Sequence, residues 1–219
     1  VSNINWENFT LPIAANTTKT FTVKAIIASI PTTDTTFVPG SYVKATNIWL
    51  QGVDTNSNVV GTTYSLTGNE QYVYVKAPVF ALGSYSFTAS GSSDHPQSIG
   101  TAKITLGITA YNNDIYIDKT TSNTYGAFSP ATGTPAYNFT CTANATEEGD
   151  YYRISAGSTA TCELNGVLTL STSTQNGYYQ FAVSQITWNT SATSATTTGA
   201  VQQTWGWDNF KTGSTYLSY

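Results

Sequence analysis

Residues 101–110 read TAKITLGITA. Ala102, Ile104, Leu106, Ile108 and Ala110 fall on one face at period two. Thr101, Lys103, Thr105, Gly107 and Thr109 fall on the other. That alternation defines a half-buried β-strand. The same grammar continues outward. Toward the N-terminus, residues 84–88, 70–76, 59–66, 42–53 and 20–30 read as further strands. Pro31, Pro39-Gly40, residues 54–58 and Gly68-Asn69 separate them as stops and turns. The polar residues 90–98 form a loop. Toward the C-terminus, Asn112-Asn113 turns into a strand at 114–118. Residues 119–135, rich in Thr, Ser, Gly and Pro, read as a long loop or internal boundary. Asn165-Gly166, between two apolar runs, signals a hairpin. Residues 177–188 read as one long strand, and 189–198 as a polar low-complexity loop. Roughly eleven to thirteen strands at this spacing make a single elaborated β-sandwich with Greek-key connections.

Composition agrees. The chain has 219 residues, enough for one large all-β domain or two small ones. It carries 40 Thr, 22 Ser and 15 Tyr, and no Met, so strand formers dominate and strong helix formers are scarce. Only 9% of residues are charged, against about 25% in an average soluble protein. A net charge of −4 with 8 scattered Lys and Arg argues against nucleic acid, whose phosphates need a basic footprint. No run approaches the ~18 apolar residues of a membrane helix, so no membrane span is expected.

So little charge calls for another route to solubility. Five Asn-X-Ser/Thr sequons supply one, at Asn8, Asn16, Asn138, Asn144 and Asn189. The first residue is Val rather than Met. Together these features lead us to expect a processed, exported, N-glycosylated protein. Cys141 and Cys162 both lie in strand-like segments. They form one intramolecular bridge or stay as two buried thiols. A bridge would close a loop of about 20 residues and contribute roughly 3 kcal/mol in the chain-entropy model.

Catalytic chemistry finds little foothold. His95 is the single His, in a Ser-Asp-His-Pro loop without a nucleophile elbow, and reads as an exposed loop residue. Glu147, Glu148 and Asp150 are the densest acidic cluster. They lack the ligand count of a Ca²⁺ site and read as a solvated turn. No carboxylate pair stands in a distinctive context. Trp205 and Trp207 flank Gly206, and Tyr151-Tyr152 and Tyr178-Tyr179 are paired. Such rings could stack on sugars, but most rings in a β-protein fill the core. Lys103, on the polar face of the strongest strand, could form an isopeptide crosslink if it lay buried beside Asn or Asp. We expect no catalytic residues, no metal and no cofactor beyond N-linked glycans.

The N-terminus completes the reading. Phe9, Leu11 and Ile13 alternate onto one face of residues 1–16, with Asn8 and Asn16 opposite. Ile4 and Trp6 have the other parity, so a bulge near Glu7 is needed to bury both halves. An apolar strand outside the domain it precedes must bury its face somewhere. This combination of N-terminal tail, β-sandwich head, many sequons and very low charge resembles the subunit of archaeal threads, the thin, heavily glycosylated surface filaments of thermoacidophilic archaea. The resemblance implies an Ig-like pilin sandwich at 17–219 and a donor strand at 1–16 anchored by Ile4, Trp6, Phe9, Leu11 and Ile13. It also implies head-to-tail polymerisation with copies of itself on the cell surface, glycans on the five sequons, and a role in adhesion or biofilm. Bacterial chaperone–usher pilins are similar in logic, but their disulfide sits early in the domain and this one would sit late. Two alternatives are a secreted carbohydrate-binding module or adhesin, contacting glycans through Trp205 and Trp207, and a secreted β-sandwich enzyme acting on glycosides.

Overall fold

A computed structural model describes residues 12–14, 16–20, 41–44, 47–65, 68, 71–192 and 200–219. The chain divides into two compact units, Val1–Val38 and Pro39–Tyr219. The boundary expected after Asn16 falls inside the first unit. The described part of that unit is a turn. Thr17 donates its N–H and its hydroxyl to the Ala14 carbonyl, at 3.2 and 2.6 Å. Asn16 takes a left-handed φ of 60°, which Asn tolerates better than most residues.

In the second unit, the alternating stretch is the centre of strand β6 (Ile99–Tyr111). It lies inside an antiparallel sheet of order β5 (Ala77–Ser90), β6, β12 (Thr159–Thr169) and β9 (Thr134–Ala143). Ala102, Ile104, Leu106, Ile108 and Ala110 are buried as the period requires. Ala160, Cys162, Leu164 and Leu168 of β12 are buried beside them. Each large aliphatic side chain so buried contributes about 1.5–3 kcal/mol. Burial therefore fixes the register, because a one-residue slip would drive Lys103 into the core and Ile104 into water.

The other layer is split. One part has the order β10 (Thr146–Glu148), β11 (Tyr151–Ile154), β7 (Ile115–Asp118), β14 (Ile186–Asn189) and β15 (Val201–Gln203). The other has the order β16 (Thr215–Leu217), β13 (Gly177–Val183) and β8 (Gly126–Ser129). Two small antiparallel pairs complete the set, β1 (Ser41–Val43) with β4 (Gln71–Val73) and β2 (Asn47–Val53) with β3 (Val59–Ser65). The only helical segments among the described residues are two three-residue 3₁₀ turns, Ser122–Thr124 and Ser173–Gln175. The protein is all-β, with two facing layers in a sandwich-like arrangement.

Three local readings are corrected. Asn165-Gly166 is not a hairpin; it lies within β12, which pairs without a break at that point on both sides. A Cβ on Gly166 would stand 2.6 Å from the Phe181 ring, and one on Gly126 would meet the same ring at 2.6 Å. The glycine is there for close approach, not for a turn. The run 177–188 is not one strand, because β13 ends at Val183 and β14 begins at Ile186 in the other part of the layer. Non-local partners make that break: the Val183 N–H donates to the Phe210 carbonyl and the Ser184 N–H to Tyr125, at 2.9 and 2.8 Å. Finally, residues 119–135 are not simply a loop. They contain β8, which pairs Phe128 with Phe181.

Tyr125 pins this corner. Its buried hydroxyl donates to the Asp118 carbonyl at 2.5 Å, with the Thr187 carbonyl at 3.1 Å. Burial pushes its pKa up to about 12. Its ring meets Phe139 of β9 edge-on at 5.2 Å, joining that strand to the opposite layer.

Candidate functional site

The four-stranded sheet has two edges, β5 and β9, each ladder-paired on one side only among the described strands, although the Phe87 carbonyl of β5 also accepts the Thr215 hydroxyl of β16 at 3.1 Å. At β9, Cys141 and Cys162 form the disulfide, staples across the last strand pair beside a register shift at Thr161/Cys162. Asn138 is exposed on β9, and Asn144 is exposed just beyond it. Asn144 also donates from Nδ2 to the Thr159 carbonyl at 3.1 Å.

The β5 edge is built differently. It is 14 residues long and contains no charged residue. Phe80, Leu82, Tyr85, Phe87 and Ala89 stand opposite Ile108, Leu106, Ile104, Ala102 and Gly100, on the core side of the sheet. The β6 residues are fully buried. Their β5 neighbours are only half-buried, and Tyr85 is 54% exposed. A register shift between Leu82 and Tyr85 inserts Gly83-Ser84 and widens the inward spacing there from two residues to three. A long, uncharged edge beside an incompletely covered apolar row is a template for another strand.

The predicted site residues fall as follows. Ile4, Trp6, Asn8, Phe9 and Leu11 lie outside the described residues. Ile13 is described and 53% exposed. Asn16, Asn138 and Asn144 are exposed, whereas Asn189 is 4% exposed within β14. Its Oδ1 accepts the Thr190 N–H at 2.7 Å.

The acidic turn is engaged by cations of the chain itself. Glu147 meets Lys119 at 3.3 Å, and Glu148 meets Arg153 at 3.0 Å. Arg153 also reaches Asp114 at 2.6 Å. The Ala156 N–H and then Arg153 hold the Asp114 carboxyl below the usual carboxylate range. Among the described residues, no group of three or more His, Cys, Asp and Glu could hold a metal ion. His95 is half-buried and stacks on Tyr219, with ring centroids 3.9 Å apart. Lys103 stands opposite Asn165, but its Nζ pairs with Glu163 at 2.5 Å on a partly solvated face, not in a buried crosslinking site.

The aromatic pairs separate. Tyr151, Tyr152, Tyr179 and Trp207 are buried, Tyr178 is exposed, and Trp205 is half-buried. Tyr72 of β4 was no more than a strand residue in the sequence, yet it stacks on Trp205 at 4.0 Å. Burial and stacking depend on pairings distant in sequence, so adjacency alone could not sort these rings.

The described residues thus define a disulfide-bonded, all-β, sandwich-like protein in which one sheet edge is stapled to its neighbour and the other is not. No family model, curated protein or solved structure matches the chain. No described helix is long and apolar enough to cross a membrane.

Proposed function

We propose that the chain is the structural subunit of an extracellular, N-glycosylated filament of the archaeal-thread kind. It polymerises head-to-tail by laying the N-terminal strand of one copy along β5 of the next, and serves adhesion or biofilm rather than catalysis. The observation that supports this most is the uncharged β5 edge with its half-buried apolar row. Strand addition at such an edge draws affinity from main-chain hydrogen bonds and specificity from alternating side chains.

The spacing of the two segments supports the pairing. The apolar N-terminal residues Ile4, Trp6, Phe9, Leu11 and Ile13 step by 2, 3, 2 and 2. The inward row of β5, Phe80, Leu82, Tyr85, Phe87 and Ala89, steps by 2, 3, 2 and 2 in the same direction. A donor running parallel to β5 would place its parity change near Glu7 opposite the irregularity at Gly83-Ser84. Burying Phe9, Leu11 and Ile13 would contribute roughly 5–9 kcal/mol before ordering costs. Asn8 and Asn16 would face outward, where glycans fit. Pro12 lacks an N–H and forfeits one ladder bond or marks an irregularity. A contact of this type does not close on itself, so it propagates as a fibre.

Deletion of residues 1–16 tests the reading. The expected product is a soluble head with an unchanged β-rich circular dichroism spectrum that forms no filaments by electron microscopy. Filaments of unchanged length and number after the deletion would refute donor-strand assembly.

A further inference from the structure

Gln203, at the end of β15, holds three tryptophans. Its Oε1 accepts the Trp188 indole N–H at 3.2 Å and its carbonyl accepts the Trp207 indole N–H at 3.1 Å. Its Nε2 donates to the Trp205 carbonyl at 3.3 Å. Trp207 is buried edge-on against Phe80 and Phe210. Gly206 carries the chain round the turn with a φ of +83°, a conformation that favours glycine. Trp205, on the other side of that glycine, is half-buried. It is backed by Tyr72 at 4.0 Å and lies nearly parallel to Tyr74 at 6.4 Å. The indole is therefore a rigid platform, fixed by its neighbours before any ligand arrives.

Trp205 is among the residues lining an open cleft of about 730 Å³, whose walls also carry Lys44, Gln71, Ser184, Asp208 and Lys211. The volume lies in the range of small-molecule sites, roughly 300–1,000 Å³. In a chain with only 9% charged residues, two ammonium groups and a carboxylate around one half-exposed indole are a local concentration of directional polar groups. A pyranose fits this chemistry. Its axial C–H face packs on an aromatic ring, while its equatorial hydroxyls need donors and acceptors around the rim. A lipid would leave the Asp208 and Lys211 side chains unpaired at a cost.

We propose that the Trp205 cleft binds a hexopyranose oligosaccharide, with Trp205 as the stacking platform and Gln71, Asp208 and Lys211 contacting ring hydroxyls. The saccharide could be carried by another copy of this chain or by a foreign surface, and the probes separate these sources. The full chain is titrated with cellohexaose, maltohexaose, mannopentaose and glycopeptides released by protease from the native protein. The Trp205 indole N–H is followed by ¹H–¹⁵N NMR, and affinities by calorimetry. A saturable shift of that resonance with at least one probe is expected. Trp205→Ala should weaken binding about tenfold or more, as loss of one stacking contact implies, and Trp205→Phe by less. Lys211→Ala, at an exposed position, should weaken binding and leave the melting temperature unchanged. Binding of the glycopeptides alone identifies other copies as the source, and binding of a free oligosaccharide identifies a foreign surface. No saturable shift with any probe, or affinity undiminished in both Trp205→Ala and Lys211→Ala, would overturn the proposal.

Discussion

The two edges of one sheet have opposite designs. β9 is tied to β12 by Cys141–Cys162, is held to the opposite layer through Phe139 and Tyr125, and is flanked by exposed sequon residues Asn138 and Asn144. β5 has no staple, no charge and no sequon, and its inward side chains are half covered. Proteins normally blunt a free edge with lysine, proline or a bulge. β5 keeps Pro78 near its start and the irregularity at Gly83-Ser84, but the stretch from Tyr85 to Ser90 has none of these devices. Among the described residues one edge strand is covalently tied to its neighbour and the other is not, and the proposed assembly uses the second.

The comparison can be broken from either side. The largest effect on stability is expected at β9. Replacing both cysteines by serine removes a cross-link over 21 residues and should destabilise the fold by about 3 kcal/mol in the chain-entropy model, read as a lower denaturant midpoint. Next is Tyr125→Phe, which removes the buried hydroxyl that donates to the Asp118 carbonyl beside that of Thr187 and should cost about 1–3 kcal/mol. The same hydroxyl gives a pH signature. Its folded pKa is raised, so the stability it supplies is complete below the unfolded tyrosine value of about 10 and is lost as pH rises toward about 12. The wild type should therefore lose stability faster than Tyr125→Phe across that window in pH-dependent thermal melts. The smallest effect on the folded head is expected at β5. Val79→Lys with Ser86→Lys places charge on an exposed edge and should change stability by under about 0.5 kcal/mol. Filament yield should nevertheless fall about tenfold or more, measured by sedimentation, because lysine on an edge opposes strand addition.

The sheet around residues 101–110 was legible because one face is buried, and burial writes itself into sequence at period two. Local pattern and structure part company where a residue answers to a distant partner. Gly166 follows Asn165 as a turn glycine would, yet it serves the Phe181 ring. Residues 177–183 alternate and apolar residues resume at Ile186, while the backbone at Val183 and Ser184 is recruited by Phe210 and Tyr125. β8 was hidden because a four-residue strand within a Thr- and Ser-rich stretch offers too little alternation to read. The half-exposed Trp205 was visible as a residue, but its backing by Tyr72 depends on strands far apart in the chain. For the proposed assembly edge, the absence of charge from residues 77–90 is present in the sequence. That β5 is an edge is a property of strand order, which no local pattern encodes.

The central claim is that β5 of one copy receives the N-terminal strand of another, and engineered cross-linking tests it most directly. The two native cysteines are paired with each other, so introduced thiols report without interference. Ile13→Cys is combined with Ala89→Cys, the pair that a parallel donor would bring together, and separately with Phe80→Cys, the pair for an antiparallel one. On mild oxidation of assembled material, the Ile13–Ala89 combination should give a ladder of disulfide-linked multimers on non-reducing gels. Only monomers, or only bridges within single chains, from both combinations would contradict the account.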